Sequence, residues 1–302
     1  MSILVIVVTY NATKWIDDCF GSLQKSTIPL DVIVIDNKST DNTVKIIKDK
    51  FPEIMLVQPS SNLGFGQGNN VGLQYAIDHN YEYVYLLNQD AWLFSNTIEE
   101  LTKYHKENPQ YGILSPLQLQ ANGKCLDRNF ERVVVNSRSR NRIINDFCFG
   151  YTHSLYDVDF VMAAHWLISR ECLLKVGGFS PTFFQYGEDG DYAARVLRHG
   201  FNIGVVFTAK AIHDREDRPI SKSKLIYLAY VACLTELTGF YRHSRCPMAW
   251  VILFSIWNSI KYCSMKPLCN LMKIVVKIKD IYANRNASLE GFAFLTNNNK
   301  KV

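Results

Sequence analysis

The 302-residue sequence lacks the patterns that identify small zinc-binding or redox proteins and dinucleotide-binding domains. No two of its eight cysteines stand in a C-x-x-C spacing, which argues against a zinc ribbon or a thioredoxin-type site. No glycine run satisfies G-x-G-x-x-G either. We expect the cysteines to be reduced core residues of a cytosolic protein. They are Cys19, Cys125, Cys148, Cys172, Cys233, Cys246, Cys263 and Cys269.

The sequence predicts neither a signal peptide at its first apolar run nor a membrane-spanning helix farther along. The apolar run at residues 3–8 has no basic stretch before it, and two aspartates follow soon after, so it is a better buried strand than a signal peptide. Farther along, the longest apolar windows are interrupted by Glu236, Asn258 or Lys273. None therefore offers the roughly 20 apolar residues that a membrane-spanning helix needs.

Charge is distributed unevenly along the chain. Residues 1–215 contain 20 Lys/Arg and 23 Asp/Glu, a net charge of −3, whereas residues 216–302 contain 13 and 5, a net charge of +8. The hydrophobic fraction of 48% is ordinary for a protein with a folded core. A basic, aromatic-rich tail on a mildly acidic body suggests an anionic partner for the tail, such as a membrane surface or a nucleic acid.

Apolar runs alternate with segments of helical periodicity over the first part of the chain. We predict strands at residues 3–8, 31–35, 54–57 and 83–87, and helices at residues 15–25, 42–50 and 69–78. This alternation predicts an α/β fold with a mostly parallel central sheet flanked by helices. Ligands of such folds bind in the crevice at the carboxyl ends of the strands.

Polar residues follow the predicted strands and should therefore lie at one edge of the sheet. They are Thr9, Asn11, Asp36, Asn37, Asn88 and Asp90. The glycine-rich loop at residues 60–68 suits close approach of backbone to a phosphate or ribose, although a plain glycine turn is the alternative. Asp90 stands between two apolar runs, where a carboxylate must be solvated, paired or coordinating. Its oxygens would suit Mg²⁺ or Mn²⁺ carrying a diphosphate.

An acidic stretch lies at residues 183–195, FFQYGEDGDYAAR. Glu188, Asp189 and Asp191 fall within four positions, and Arg195 follows Asp191 by four. If a helix begins near Glu188, its dipole favours these acids, and Asp191 and Arg195 form an i,i+4 pair. One of the carboxylates could then act as a general base. An ordinary acidic first turn of a helix explains the stretch alone equally well.

Together these motifs resemble the inverting glycosyltransferases of family 2, which have the GT-A fold. The match keeps the order of the family over about 210 residues, and within the family the pattern is most similar to bacterial rhamnosyltransferase-like enzymes of surface polysaccharide synthesis. The segments that carry it are VVTYN (7–11), DNKSTDNT (36–43), NLGFGQGNN (62–70), LLNQDAWL (86–93), VGGFSPTFFQYGEDGDYAAR (176–195) and His213.

The resemblance implies a role for each matching residue in donor binding. Asp90 stands where the family's D-x-D motif has its metal-binding acid, although Asn88 replaces the first Asp, and His213 matches the histidine that supplies a second ligand. A divalent metal is therefore implied, and a mixed oxygen and nitrogen set favours Mn²⁺ over Mg²⁺. The residues expected to hold the nucleotide are Thr9, Asn11, Asp36, Asn37, Asn62, Gly64, Gly66, Asn69 and Asn88.

The same resemblance implies an inverting transfer with Asp189 as the general base, and with Glu188 and Asp191 orienting it or contacting acceptor hydroxyls. We expect dTDP-rhamnose as the donor and a growing, lipid-linked surface polysaccharide such as an O-antigen, or an oligosaccharide, as the acceptor. A UDP-sugar, hexose or galactofuranose, is the alternative donor. A nucleotide-sugar-binding protein without catalysis is the other alternative, but it would be expected to lose the acid cluster.

The chain is expected to divide into two parts. Residues 1–218 form the catalytic domain, with a nucleotide-sugar-binding half at 1–115 and an acceptor half at 116–218. Residues 219–302 form a basic helical extension, with helices at 224–241, 248–262 and 268–282. Interfacial helices on an anionic membrane, or helices that pack on the domain or form a homodimer, explain this extension equally well. We expect a cytoplasmic protein, peripheral on the inner face of the membrane, without a nucleic-acid partner.

Two further features have a structural and a functional interpretation. The segment at residues 123–157 shows little periodicity, which favours a solvated or mobile loop over a grip on an acceptor pyrophosphate. Its arginines are Arg128, Arg132, Arg138, Arg140 and Arg142. His165 is expected to be a neutral histidine of the core or of the substrate wall rather than a metal ligand.

Overall fold

The computed structural model describes residues 1–151, 153–215, 220–239 and 245–296. The strands are β1 (Ile3–Thr9), β2 (Asp31–Asp36), β3 (Met55–Val57), β4 (Tyr83–Asn88), β5 (Ala91–Leu93), β6 (Tyr111–Leu119), β7 (Leu155–Val158), β8 (His165–Ser169) and β9 (Asn202–His213). The helices are α1 (Ile16–Gln24), α2 (Thr43–Lys50), α3 (Gly64–Asp78), α4 (Thr97–Glu107), α5 (Arg128–Val135), α6 (Arg140–Phe149), α7 (Arg170–Val176), α8 (Glu188–Arg198), α9 (Lys222–Thr238), α10 (Pro247–Lys261), α11 (Lys266–Val276) and α12 (Ile278–Ala287).

These strands form one sheet in the order β3-β2-β1-β4-β8-β6-β9-β5, with β7 paired to β9. The first four positions are parallel, as the predicted β-α alternation requires. Beyond them β8 runs antiparallel to β4 and β6, while β6 and β9 pair in parallel. Helices cover the sheet, so the α/β class predicted from the sequence is confirmed, and its second half is a mixed sheet.

Strand β1 occupies the middle of the parallel half and is buried on both faces. Leu4 and Ile6 pack into the core on one face, and Val5 and Val7 pack into the core on the other. All four are at most 1% exposed, which is why this run is continuously apolar rather than alternating. Because β2 and β4 pair in parallel with β1, the carboxyl ends of all three strands meet at one edge.

Helix α3 begins at Gly64, so the prediction of a loop over residues 60–68 is wrong for its second half. The turn into the helix uses Gly64 at a φ of +77°, and Asn62 Oδ1 accepts a hydrogen bond from Gly64 N at 2.8 Å. Deeper in the helix, a Cβ on Gly72 would lie 2.6 Å from Ile6 Cγ2. Gly64 therefore permits the turn, and Gly72 allows the helix to pack closely on β1.

The arginine-rich segment at residues 123–157 is largely helical, so the predicted loop is also wrong. Asp127 caps α5, because its side chain accepts a hydrogen bond from Phe130 N at 2.8 Å. Phe130 and Val134 are buried one turn apart, while the arginines of α5 are exposed. An amphipathic pattern of two apolar residues is too short to stand out among so many charges.

The C-terminal helices α9 to α12 pack around a small core of their own, which also contains Phe183 from the segment before α8. The Tyr227 hydroxyl donates a hydrogen bond to Gln185 O at 3.0 Å and joins this bundle to the same segment. The helix predicted at residues 268–282 is two helices, α11 and α12, which meet at Lys277. Among the described helices, none combines the length and apolarity needed to cross a bilayer.

Two further sequence predictions concern the domain boundary and the burial of the cysteines. The predicted domain boundary between residues 218 and 219 lies outside the described residues. The expectation that the cysteines belong to the core holds for Cys19, Cys172 and Cys233, which are buried. It is wrong for the other five, which are exposed, because an apolar neighbourhood in the sequence does not decide whether a side chain faces the core or solvent.

Candidate functional site

The edge at the carboxyl ends of β1 and β2 is held by side-chain hydrogen bonds. Thr9 Oγ1 donates to Asp36 Oδ1 at 3.0 Å, and Ser39 N donates to Asp36 Oδ2 at 2.9 Å. Asn11, at a φ of +51°, accepts a hydrogen bond from Thr40 N at 2.8 Å. Thr9 and Asp36 are fully buried and Asn11 is exposed. The three predicted residues therefore lie together, and Asp36 anchors the loop that follows β2.

Asn37 connects this edge to the start of α3. Its Nδ2 donates to Gly64 O at 3.0 Å, and its Oδ1 accepts from Leu63 N at 3.2 Å. Asn69, also predicted to bind the nucleotide, is 1% exposed and donates to a backbone carbonyl one turn earlier in its own helix. Both amides thus satisfy backbone groups, and they shape the edge more than they face solvent.

The first turn of α3 contacts the acid-rich helix α8 and the residues before it. Phe65 N donates to Phe184 O at 3.2 Å, and a Cβ on Gly64 would clash with the same carbonyl group. A Cβ on Gly66 would lie only 2.9 Å from Phe179 Cβ and at an ordinary contact distance of 3.5 Å from Glu188 Cβ. Of the two glycines that the resemblance assigned to the nucleotide, Gly64 therefore allows the segment before the predicted catalytic acids to approach the nucleotide edge, and Gly66 allows close packing on Phe179.

Asn88, Asp90 and His213 lie together where β4 ends and β5 meets β9. Ala91 pairs with His213 across the two strands, and Asp90 Oδ1 lies 3.5 Å from His213 Nε2. Burial alone would raise the pKa of Asp90, but the hydrogen bond with His213 and the charge of that ring outweigh it and lower the pKa. Asn88 Oδ1 and His213 Nδ1 are buried without a hydrogen-bond partner in the described part of the chain.

These donors suit a divalent cation that the protein holds only in part. Among the described residues, no group of three or more His, Cys, Asp or Glu side chains is arranged to bind a metal ion. Asp90 and His213 offer one oxygen and one nitrogen, and the unpartnered Asn88 Oδ1 offers a neutral oxygen at the same strand end. Such a set fits a metal that takes its remaining ligands from water and a substrate diphosphate.

Helix α8 starts with the acidic residues, as predicted, after two residues in the left-handed region. Tyr186 has a φ of +65° and Gly187 a φ of +89°. Glu188 is 5% exposed, and its Oε2 is buried without a hydrogen-bond partner among the described residues. Asp189 is partly exposed, and its Oδ1 accepts from Gly190 N at 2.8 Å. The two neighbouring acids therefore differ in their surroundings.

Burial raises the pKa of both carboxyl groups in this pair. Burial, followed by the charge of Asp189, raises the pKa of Glu188 to about 8. Burial also raises the pKa of Asp189, although its backbone hydrogen bonds oppose the change. At pH 7 Glu188 is therefore mostly protonated.

Asp191 forms the predicted i,i+4 ion pair with Arg195, with Nε and Oδ2 2.9 Å apart. Arg195 is fully buried and also donates to Val176 O at 3.1 Å and Gly178 O at 2.6 Å. The Asp191 side chain is only 4% exposed. This arrangement favours an orienting role for Asp191, in which it fixes α8 through Arg195.

Arg215 is a candidate that the sequence argument did not select. Its Nε donates to Asp127 Oδ2 at 2.9 Å, and its charge acts to lower the pKa of both Asp90 and Asp189. A cationic side chain held near Asp90, His213 and the predicted base is suited to binding a diphosphate. Its position two residues after His213 was the one available signal.

His165 is a core residue, as expected. It is fully buried, its Nδ1 lies 3.0 Å from the Tyr85 hydroxyl, and its Nε2 lies 2.9 Å from Ile212 O. Burial, followed by the charge of His213, lowers the pKa of His165 to about 3. It is therefore neutral, and because both ring nitrogens have partners it supports the strand that carries His213.

Solved structures with the same arrangement of elements are glycosyltransferases. TarS from Staphylococcus aureus in complex with UDP-GlcNAc gives a TM-score of 0.56 at 16% identity, over 96% of this chain and 89% of that chain. This chain covers 43% of a longer TarS chain. The mannosyltransferase PcManGT from Pyrobaculum calidifontis, in complex with GDP-Man and Mn²⁺, gives 0.56 at 17% identity, over 94% and 79%. The fold is therefore the GT-A fold, as predicted.

Sequence comparison then gives the family. Residues 4–153 match the family described as Glycosyl transferase family 2. The low-salt glycan biosynthesis hexosyltransferase Agl10 of Haloferax volcanii is 25% identical over 229 residues, 75% of this chain and 72% of that protein. The N-acetylglucosaminyl-diphospho-decaprenol L-rhamnosyltransferase of Mycobacterium tuberculosis is 23% identical over 275 residues, 83% and 89%. The chain belongs to glycosyltransferase family 2 and is a glycosyltransferase.

Proposed function

We propose that this protein transfers a sugar, with inversion, from a nucleoside diphosphate to an acceptor hydroxyl, with Asp189 as the general base. The observation that carries the proposal is the carboxyl pair at the start of α8. The first turn of α3 holds this pair beside the edge that carries Asp36 and Asn37. A base is most effective when its pKa lies near the working pH, and burial shifts the pKa of Asp189 in that direction.

The chemistry follows from the placement of the charges. Asp189 accepts the proton of the acceptor hydroxyl while that oxygen forms the new bond to the anomeric carbon. The bond from this carbon to the diphosphate oxygen breaks, and the nucleoside diphosphate leaves with the electron pair. Glu188, mostly protonated at neutral pH, would orient Asp189 or contact acceptor hydroxyls, as the resemblance implies. Arg215 attracts the diphosphate.

A divalent cation, Mn²⁺ or Mg²⁺, completes this proposal. When bound by Asp90 and His213 it would neutralise the charge that develops on the leaving diphosphate. The structural neighbour PcManGT is complexed with Mn²⁺, which supports a divalent metal but does not choose between the two. Asn88 Oδ1, which has no hydrogen-bond partner among the described residues, is a third candidate ligand.

We propose dTDP-rhamnose as the donor and a lipid-linked acceptor in the cytoplasm. The support is the similarity, over 83% of this chain, to the N-acetylglucosaminyl-diphospho-decaprenol L-rhamnosyltransferase. A UDP-sugar is the second candidate, because the TarS neighbour is complexed with UDP-GlcNAc. Thermal-shift measurements with a panel of nucleotide sugars in the presence of Mn²⁺ should separate the two, since the cognate donor stabilises the folded protein most.

The direct test of the catalytic assignment is Asp189→Asn. The amide keeps the shape of the side chain but cannot accept a proton, so sugar transfer should fall by roughly 10²–10⁴-fold. Donor affinity, measured by calorimetry, should change little. Asp49→Asn, an exposed change on α2, is the matched control and should retain full activity. Substantial residual transfer of radiolabelled sugar by Asp189→Asn would show that another group is the base.

A further inference from the structure

Helix α10 turns an apolar face to solvent and a partly polar face to the protein. Its exposed large side chains are Ile252, Leu253, Ile256, Trp257 and Ile260. Leu253 is 68% and Ile260 is 72% exposed, whereas Ser255 and Asn258 are 4% and 2% exposed. A helix on a water-exposed surface has the opposite polarity. The outer face of α10 is therefore built to be covered by something apolar.

Helix α11, which packs against α10, also carries exposed large apolar side chains. Met272, Val275 and Val276 are 62%, 47% and 80% exposed. We call the exposed apolar residues of α10 and α11 the apolar ridge. Scattered single apolar residues are ordinary on a protein surface, but a ridge along two neighbouring helices indicates an interaction surface.

Exposed lysines lie close in the sequence to the residues of the apolar ridge. Residues 247–280 contain five lysines and a single acid, Asp280, a net charge of 5 − 1 = +4. The lysines, all exposed, are Lys261, Lys266, Lys273, Lys277 and Lys279. Lys261 Nζ lies 4.6 Å from the centre of the Trp257 ring and 5.2 Å from that of Tyr262. Aromatic rings close to lysine ammonium groups are typical of helices at a membrane interface.

We propose that the apolar ridge docks on the surface of a bilayer that contains anionic lipids. The ridge would enter the boundary between headgroups and acyl chains, and the lysines would face the phosphates. A second copy of the chain fits this surface less well, because a twofold contact through the ridge would bring the lysines of both copies together. At 15 residues and roughly 22 Å, α10 is too short to cross a core of about 30 Å.

This proposal goes beyond sugar transfer and needs neither donor nor metal. It does have a consequence for the site, because the helical bundle that carries the ridge also packs on Phe183, and its Tyr227 donates a hydrogen bond to Gln185 O. Phe183 and Gln185 lie just before the proposed catalytic acids. Docking would therefore hold the acceptor side of the site at a fixed position relative to the bilayer, where a lipid-linked acceptor is presented.

Vesicle flotation of the full-length protein tests the proposal. We expect binding to vesicles of phosphatidylcholine with phosphatidylglycerol, weaker binding to phosphatidylcholine alone, and a loss of the difference in high salt. Leu253→Gln with Ile260→Gln should weaken binding by roughly tenfold or more, because two apolar groups no longer enter the interface. Met55→Gln with Leu174→Gln, exposed apolar residues elsewhere, should bind like the natural protein.

A second set of variants separates the electrostatic contribution. Neutralising Lys266, Lys273 and Lys277 with glutamine should remove the preference for anionic vesicles while circular dichroism shows an intact fold. The matched control neutralises Lys45, Lys48 and Lys103 of the catalytic part and should keep the preference. Absence of flotation by the natural protein, or equal losses in variants and controls, would overturn the proposal. So would a dimer in light scattering that Leu253→Gln with Ile260→Gln dissociates, without vesicle binding.

Discussion

Replacing Glu188 with glutamine should make the free energy of unfolding less dependent on pH. In the folded protein, burial and the charge of Asp189 raise the pKa of Glu188 from 4.5 to about 8. Between these two values the folded state keeps a proton that the unfolded chain has released. Unfolding therefore becomes easier as the pH rises. The stability that Glu188 contributes is complete below pH 4.5 and is lost as the pH passes 8.

The size of this effect follows from the same shift. Each tenfold change in proton affinity is worth about 1.4 kcal/mol, so from about pH 5 to about pH 9 the natural protein should lose up to about 4 kcal/mol relative to Glu188→Gln. Urea unfolding at a series of pH values measures this difference. The exposed Glu107→Gln on α4 is the matched control, and it should follow the natural protein at every pH. A constant difference between Glu188→Gln and the natural protein over this range would refute the assignment of the proton to Glu188.

Three further predictions concern the proposed metal ligands, the close contacts at glycine and the buried arginine. His213→Ala should abolish the Mn²⁺-dependent part of donor affinity in calorimetry, and undiminished donor affinity of the natural protein in chelator would contradict the metal assignment. Gly72→Ala should destabilise the fold by about 1–3 kcal/mol through overpacking, whereas Gly21→Ala, with no atom within 4 Å of its Cβ, should be neutral or stabilising by up to about 1 kcal/mol. Arg195→Met should cost about 3–5 kcal/mol in urea unfolding because it leaves a buried carboxylate unpaired, and a similar cost for the exposed Arg198→Met would contradict this explanation.

The sequence predicted the parallel half of the sheet because β1, β2 and β4 carry continuous apolar runs with polar residues at their carboxyl ends. It misjudged the start of α3 because glycine has two uses. In a turn it permits positive φ, and in a helix it permits close packing; residue 64 does the first and residue 68, whose Cβ would lie 3.0 Å from Val8 Cγ1, does the second. Only the position of Val8 on the neighbouring strand decides between them, and this depends on tertiary structure.

The candidate site shows the same limit. Glu188, Asp189 and Asp191 could be selected as a group from their spacing, but their separate surroundings could not. Asp191 pairs with a buried arginine, and one oxygen of Glu188 is buried without a hydrogen-bond partner among the described residues. The pair of Asp191 with Arg195 could be predicted from the i,i+4 spacing. The complete burial of Arg195 and the enclosure of Glu188 depend on tertiary packing, which the spacing does not reveal.

The proposed division of roles within the carboxyl pair depends on these different surroundings. Two adjacent acids in one helical turn would repel each other if both were ionised, and this favours retention of a proton on one of them at neutral pH. Glu188 is the more enclosed of the two, whereas Asp189 has a backbone N–H donor and the positive charge of Arg215 to favour its ionised form. The acid that is left ionised is the one able to accept a proton from an acceptor. The burial of Glu188 therefore supports the proposal that Asp189 is the base of the pair.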